Sequence, residues 1–123
     1  MKKLFVLGIM CLFLCSCEDK ENKEIKPGKI SCSEMKEIME YDGNPRLIDV
    51  RTKEEYDEGH LDDAMNIPVD SIESIQAIDS IHLDTPIIVY CRSGQRSAKA
   101  VEELVKLGYT KVYDLGAMSS CAN

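Results

Sequence analysis

Between Cys91 and Ser97 the chain reads CRSGQRS: a thiol, two guanidinium groups, two hydroxyls, an amide and a glycine in consecutive positions. A cysteine is nucleophilic as its thiolate, and cationic side chains and unpaired backbone N–H groups favour that anion. The same groups would hold an anionic substrate, so the run has the residue types for thiolate attack on an anion. Two other readings compete with this one. As a metal ligand Cys91 lacks company, because His60 and His82 are the only histidines and no Cys-x-x-Cys pair occurs beyond Cys17. As a core thiol it would follow the ordinary preference of free cysteine for burial.

The elements that must position the run favour the nucleophile. PIIVY, Pro86 to Tyr90, is a nearly pure apolar, β-branched run that fits a central strand buried on both faces. SAKAVEELVKLGY brings Ala100, Val101, Leu104 and Leu107 to one helical face, and Gly108 ends it. Cys91 therefore stands at the carboxyl end of a strand and just before a helix N-terminus, where open parallel sheets place their ligand sites.

Upstream, SCSEMKEIMEY puts Met35, Ile38 and Met39 at helical spacing, with Ser31 or Ser33 as N-cap and Ser31 and Glu34 in capping-box register. RLIDV, Arg46 to Val50, reads as a strand entered through the turn DGNP. TKEEYDEGH reads as a short helix stopped at Gly59, and AMNIPV as an extended piece. DSIESIQAI predicts a helix with Ile72, Ile75 and Ile78 inward, and KVYDL a last strand. Met35, Met39, Met65 and Met118 are expected to fill the core. Strand and helix in alternation predict a parallel sheet flanked by helices, an α/β fold.

CRSGQRS resembles the active-site loop of the rhodanese superfamily in its single-domain form. LIDVRTKEEYDEGHLDDAMNIP, Leu47 to Pro68, resembles that family's second motif, with Asp-Val-Arg, Glu-x-Tyr, Gly-His-Leu and Asn-Ile-Pro in order, and GYTKVYDLGAM fits its last strand. The likeness covers Ile30 to Met118. It implies a rhodanese-like three-layer fold, with a central, mostly parallel sheet between helices, and it implies sulfurtransferase chemistry without a cofactor or metal. Cys91 would attack the outer sulfur of a small anionic donor such as thiosulfate, become a persulfide, and pass that sulfur to cyanide, a thiol or a protein acceptor.

In that chemistry the backbone N–H groups of Ser93, Gly94, Gln95, Arg96 and Ser97 would ring the sulfur and stabilise the anions. Arg92 would meet the donor at the mouth, and Arg96 would close the loop with a planar fork suited to oxyanions. Cys91 to Arg96 is Cys-x4-Arg, which resembles the sulfurtransferase loop; phosphatases and arsenate reductases on this fold carry Cys-x5-Arg, a wider ring. Sulfur is thus favoured over phosphorus. Asp49 and Arg51 are expected to pair with neighbours and brace the loop, and His60 to be structural, as in the family. The chain departs from the family pattern at Asp63, where a glycine is usual, at Ala117, which replaces the second glycine of a pair, and at Cys121, near where a tryptophan commonly closes the fold.

The chain has 123 residues, enough for one small domain, and its start has a different character. Residues 1–16, MKKLFVLGIMCLFLCS, read as a signal peptide, with two lysines before a short uncharged run. LCSC resembles the lipobox of bacterial lipoproteins, which implies a lipidated Cys17 at the mature N-terminus and a domain anchored on a membrane of the cell envelope, periplasmic or surface side. Residues 17–29 would be this cysteine and a flexible, charged tether ending at Pro27-Gly28, and residues 30–123 the domain. Loss of residues 1–16 leaves 13 basic against 22 acidic side chains, a net charge of −9, which argues against nucleic acid as a partner.

Of the cysteines then remaining, Cys32, Cys91 and Cys121 form an odd set: one pair with a free thiol, or three free thiols. Two functions of other classes stand beside sulfur transfer. A non-catalytic rhodanese-like binding module would commonly lack the loop cysteine, which is present. A thiol redox enzyme would use Cys91 with Cys32 or Cys121.

Overall fold

The computed structural model describes residues 24–122, so the expectations for residues 1–16 and Cys17 lie outside the described residues. Within them the chain alternates strand and helix: β1 (Gly28–Lys29), α1 (Cys32–Ile38), β2 (Arg46–Asp49), α2 (Lys53–Glu58), β3 (Ala64–Asn66), a run of 3-10 turns (Val69–Ala77), β4 (Ile87–Cys91), α3 (Gln95–Lys106), β5 (Val112–Ala117) and a closing 3-10 turn (Met118–Cys121). The five strands form one sheet in the order β1-β5-β4-β2-β3, and every pairing is parallel. The expected α/β architecture with a central parallel sheet is therefore present, and PIIVY supplies its middle strand.

Side chains alternate across a strand, and in β4 this alternation builds both cores. Ile87, Val89 and Cys91 join Ile48, Val50, Ala100, Leu104 and the isoleucines of the 3-10 run on one face, while Ile88 and Tyr90 join Leu47, Met35, Ile38 and Tyr113 on the other. All five residues of β4 are buried, as a strand covered on both faces requires. Each of the two short helices of the second face begins with a capping box, Ser31 with Glu34 and Thr52 with Glu55. These reciprocal bonds satisfy N–H groups that so short a helix could not otherwise pair.

Three expectations change. The tether was expected to run to Lys29, but Gly28–Lys29 pair with Tyr113 and Asp114 of β5, and Ile25 is buried, its carbonyl accepting from the Tyr113 hydroxyl at 3.2 Å. Ordered structure thus begins before Ile30, because an apolar isoleucine within a charged stretch finds a seat beside β5. The helix expected over DSIESIQAI is instead two 3-10 turns merged at Ser71, whose φ of −126° and ψ of 32° are not helical. Ile72 and Ile75 are fully buried and Ile78 packs against them, and a spacing of three puts side chains in line on a 3-10 turn. The open question of the cysteines resolves as a disulfide between Cys32 and Cys121, with Cα atoms 5.2 Å apart, and a buried free Cys91.

The departures from the family pattern prove compatible with the backbone. Asp63 adopts a φ of +69°, left-handed, which aspartate tolerates better than most residues. Ala117 is extended, at φ −82° and ψ 137°, so only Gly116, at φ +81°, needs a glycine there. The disulfide closes the C-terminus onto α1 at the point where a tryptophan was expected to be missed.

Candidate active site

The loop after β4 wraps the sulfur of Cys91. Gly94 N–H donates to Sγ at 2.9 Å and Ser97 N–H at 3.4 Å, while the Ser97 hydroxyl donates to the Gly94 carbonyl at 3.1 Å and holds the loop's curvature. Gly94 stands at φ +100°, a left-handed position that turns the chain from strand to helix at no steric cost. Burial is the largest influence on the Cys91 thiol and raises its pKa, but the N–H groups of Ser97, Gly94 and Ser93 and the Ser97 hydroxyl outweigh it, and the pKa lies below that of an ordinary thiol. Cys91 is thus a core thiol by burial whose anionic form is favoured by its partners.

The remaining loop residues divide between mouth and frame. Ser93 and Gln95 are exposed, and Arg92 leaves 66% of its side chain in solvent, with its Nε 3.4 Å from Glu55. Arg96 differs from expectation. Its fork grips Glu55, Nη1 to Oε1 at 2.7 Å and Nη2 to Oε2 at 3.1 Å, so its guanidinium frames the loop instead of facing an oxyanion.

Glu55 is the residue that sequence reasoning missed. Its carboxylate caps α2 by accepting from the Thr52 N–H at 3.1 Å, takes both nitrogens of Arg96, and lies 3.4 Å from Arg92 Nε. Arg96 first, and the Thr52 N–H next, hold its carboxyl well below the usual carboxylate range. The resulting stabilisation is complete above the ordinary carboxylate pKa and is lost as pH falls from there through the depressed folded value. The signal was present in the sequence as a glutamate three positions after Thr52, at capping-box distance, a spacing that places one carboxylate at the start of α2.

Asp49 and Arg51 pair as expected. Asp49 accepts from the Arg51 N–H at 2.9 Å, from Nε at 3.0 Å and Nη2 at 2.7 Å, and from the Tyr90 hydroxyl at 2.8 Å. Burial above all raises the Tyr90 pKa, so the phenol keeps its proton for Asp49 while its oxygen accepts from the Leu61 N–H at 3.0 Å. Arg51 also donates to the Gly59 carbonyl at 2.7 Å, and the Asn66 amide to the carbonyls of Asp49 and Arg51. The motif residues thus tie β2, β4 and the end of α2 into one buried frame. His60 stacks on Tyr56 with ring centroids 3.7 Å apart and bonds the Tyr56 carbonyl through Nδ1, a structural placement.

Beside the loop lies a groove of about 340 Å³ lined by Arg51, Leu61, Arg92, Met118, Ser119 and Cys121. The closing turn forms one wall of it, and the disulfide holds that turn in place. Among the described residues no group of three or more His, Cys, Asp and Glu side chains could hold a metal ion.

A pH titration of alkylation follows from this geometry. With the disulfide intact, iodoacetamide should label Cys91 with a midpoint below about 8.5, the value of a free thiol, and labelling should slow as pH falls through that midpoint and the thiolate is protonated. Because the side chain is fully buried, the midpoint and not the absolute rate carries the information. A midpoint at or above the free value would remove the activated thiolate.

Comparison with known proteins agrees with this geometry. Residues 31–120 match the model of the rhodanese-like domain. The thiosulfate sulfurtransferase PspE of Escherichia coli is 35% identical over 75 residues, which are 61% of this chain and 72% of that protein. The uncharacterized protein YqhL of Bacillus subtilis is 39% identical over 70 residues, and the match spans 57% of this chain but only 54% of that protein. Among solved structures, the human single-domain sulfurtransferase TSTD1 superposes with a TM-score of 0.60 at 31% identity, covering 70% of this chain and 86% of that one.

Proposed function

The chain belongs to the rhodanese-like domain family, and from that membership we propose that it is a sulfurtransferase, moving sulfane sulfur from an anionic donor such as thiosulfate to a thiophilic acceptor through a persulfide on Cys91. The observation that carries the reading is the bonding of Cys91 Sγ, which accepts backbone N–H groups from Gly94 and Ser97 and lies in a loop open at Arg92. The Cys91 thiolate attacks the outer sulfur of thiosulfate, the donor S–S bond breaks, and sulfite leaves with its electron pair. The N–H groups that held the thiolate then face the persulfide, so no separate base is required. Arg92 supplies positive charge to a dianionic donor, and Arg96, held by Glu55, keeps the loop at a six-residue span that favours a single sulfur atom over a phosphoryl group.

The direct test is a mass spectrum of the purified protein, disulfide intact, after thiosulfate. The expected product carries about 32 Da on Cys91, one sulfur atom, and cyanide should remove it. Absence of this adduct with thiosulfate and with other sulfane donors would overturn the assignment.

We also propose that the protein is anchored to a bacterial envelope membrane through acyl chains on Cys17. The support is the sequence LCSC behind a basic and then apolar N-terminus, since two or more chains anchor stably. Fatty-acid labelling of the wild type and its loss in Cys17→Ser is the expected result; an unlabelled wild type would refute the anchor.

A further inference from the structure

The Cys32–Cys121 disulfide has a position that a purely structural staple does not need. Cys121 lines the groove that also contains Arg51 and Arg92, whereas Cys32, its disulfide partner, starts α1 and does not line that groove. Both cysteines are only half-buried. Cys91 is paired directly with Ala117 across the sheet, and Cys121 follows Ala117 by four residues. Adjacent strands lie about 4.8 Å apart, and four residues of chain span up to about 13 Å. Cys91 belongs to one core and the disulfide packs against the other, and the four residues after Ala117 are long enough, once the disulfide is opened, to carry Cys121 round the carboxyl end of the sheet to the mouth of the Cys91 loop.

We propose that Cys32 and Cys121, when reduced, are the protein's own acceptor dithiol: Cys121 takes the sulfane sulfur from Cys91, and Cys32 expels it as hydrogen sulfide. The proposal rests on the Cys91 persulfide argued above. The Cys121 thiolate attacks the outer sulfur of the persulfide; a bond forms to Cys121 Sγ, the bond to Cys91 Sγ breaks, and Cys91 leaves as the thiolate that its N–H ring stabilises. Cys32 then attacks Cys121 Sγ, forming the Cys32–Cys121 disulfide seen here and releasing hydrosulfide. In sum, one thiosulfate and two thiols give one sulfite, one disulfide and one hydrogen sulfide. The dithiol supplies both electrons that reduce the sulfane sulfur, and an external dithiol must reopen the disulfide before the next turnover.

The order of attack follows from placement. Cys121 is the member of the pair at the groove, so it is the catalytic acceptor, and Cys32 is the resolving thiol. Opening the disulfide also frees the turn Met118–Cys121, which walls the groove in the oxidised protein. The oxidised protein should therefore retain its persulfide for an outside acceptor, and the reduced protein should discharge it internally.

The test is a single-turnover experiment without air. The purified protein is reduced with dithiothreitol, freed of it, and given one equivalent of thiosulfate. Expected are about one hydrogen sulfide and one sulfite per chain, with re-formation of the Cys32–Cys121 disulfide. Pre-oxidised protein should instead keep the added sulfur on Cys91 and release no sulfide. Cys121→Ser should behave like the oxidised form even when reduced, and Cys32→Ser should stop with the sulfur on Cys121. A persulfide that persists on Cys91 of reduced wild type, with Cys32 and Cys121 still thiols, would overturn the proposal while leaving Cys91 as the nucleophile. No persulfide on the oxidised wild type would overturn the Cys91 reading and this proposal together. The oxidised and reduced wild type decide the question even if a variant fails to fold.

Discussion

Replacing Asp49 by alanine should destabilise the domain by about 3–5 kcal/mol, the cost of leaving a buried charge without its partner. Asp49 has no solvent exposure and Arg51 has 4%, so neither group can exchange its partner for water. Removal of the carboxylate takes away the acceptor of the Arg51 N–H, of its guanidinium and of the Tyr90 hydroxyl. Only the Gly59 carbonyl would remain for the guanidinium. Asp49→Asn keeps the shape but loses the charge and should fall between the two. Urea denaturation checks both, with the ligand-free stability read from the midpoint and slope. A loss below about 1 kcal/mol for the alanine variant would mean that Arg51 finds solvent, contrary to the packing described.

Cys91→Ala should reduce thiosulfate:cyanide sulfur transfer to the uncatalysed background, because the transferred sulfur has no other atom to bond in the loop. The variant should fold, since the side chain loses only Sγ from a site whose remaining contacts are apolar or backbone. Arg92→Ala forms the contrast. Its side chain is two-thirds exposed and its contact with Glu55 is long, at 3.4 Å, so the variant should keep the nucleophile and its N–H ring and lose chiefly affinity for a dianionic donor. Donor KM should rise more than kcat falls. Transfer retained by Cys91→Ala would place the nucleophile elsewhere, and hydrolysis of aryl phosphates by the wild type would show that a six-residue loop does not exclude phosphorus.

The parts of the fold that were legible from residue order are those whose signals are local. β4 announces itself by five apolar residues ending in the loop cysteine, and α1 by a serine and a glutamate three positions apart. The loop was legible for the same reason, since its N–H groups come from consecutive residues. The rest depends on partners distant in the chain. β1 is two residues, Gly28 and Lys29, with no pattern of its own; the exposed edge of β5 makes it a strand. Glu55 and Arg96 meet across 41 positions, and an arginine beside an anion-binding loop reads equally well as a substrate contact or as a brace. The 3-10 run carried its signal in the threefold spacing of Ile72, Ile75 and Ile78, which a helical template with its longer period also accommodates. Cys32 and Cys121 lie 89 positions apart, and only the folded chain brings them together.

The all-parallel sheet gives the domain a direction. The chain enters β1 from the amino end of the sheet, and the Cys91 loop lies at the opposite, carboxyl end of β4. With Cys17 as the proposed anchor, the seven residues from Glu18 to Glu24 could span at most about 25 Å between that cysteine and the chain that leads into β1. With such an anchor the amino end of the sheet would be the end nearer the attachment, and the Cys91 loop the end farther from it. Donors and acceptors would then arrive by diffusion through water, and a sulfur carrier embedded in the same membrane would meet the wrong end of the domain.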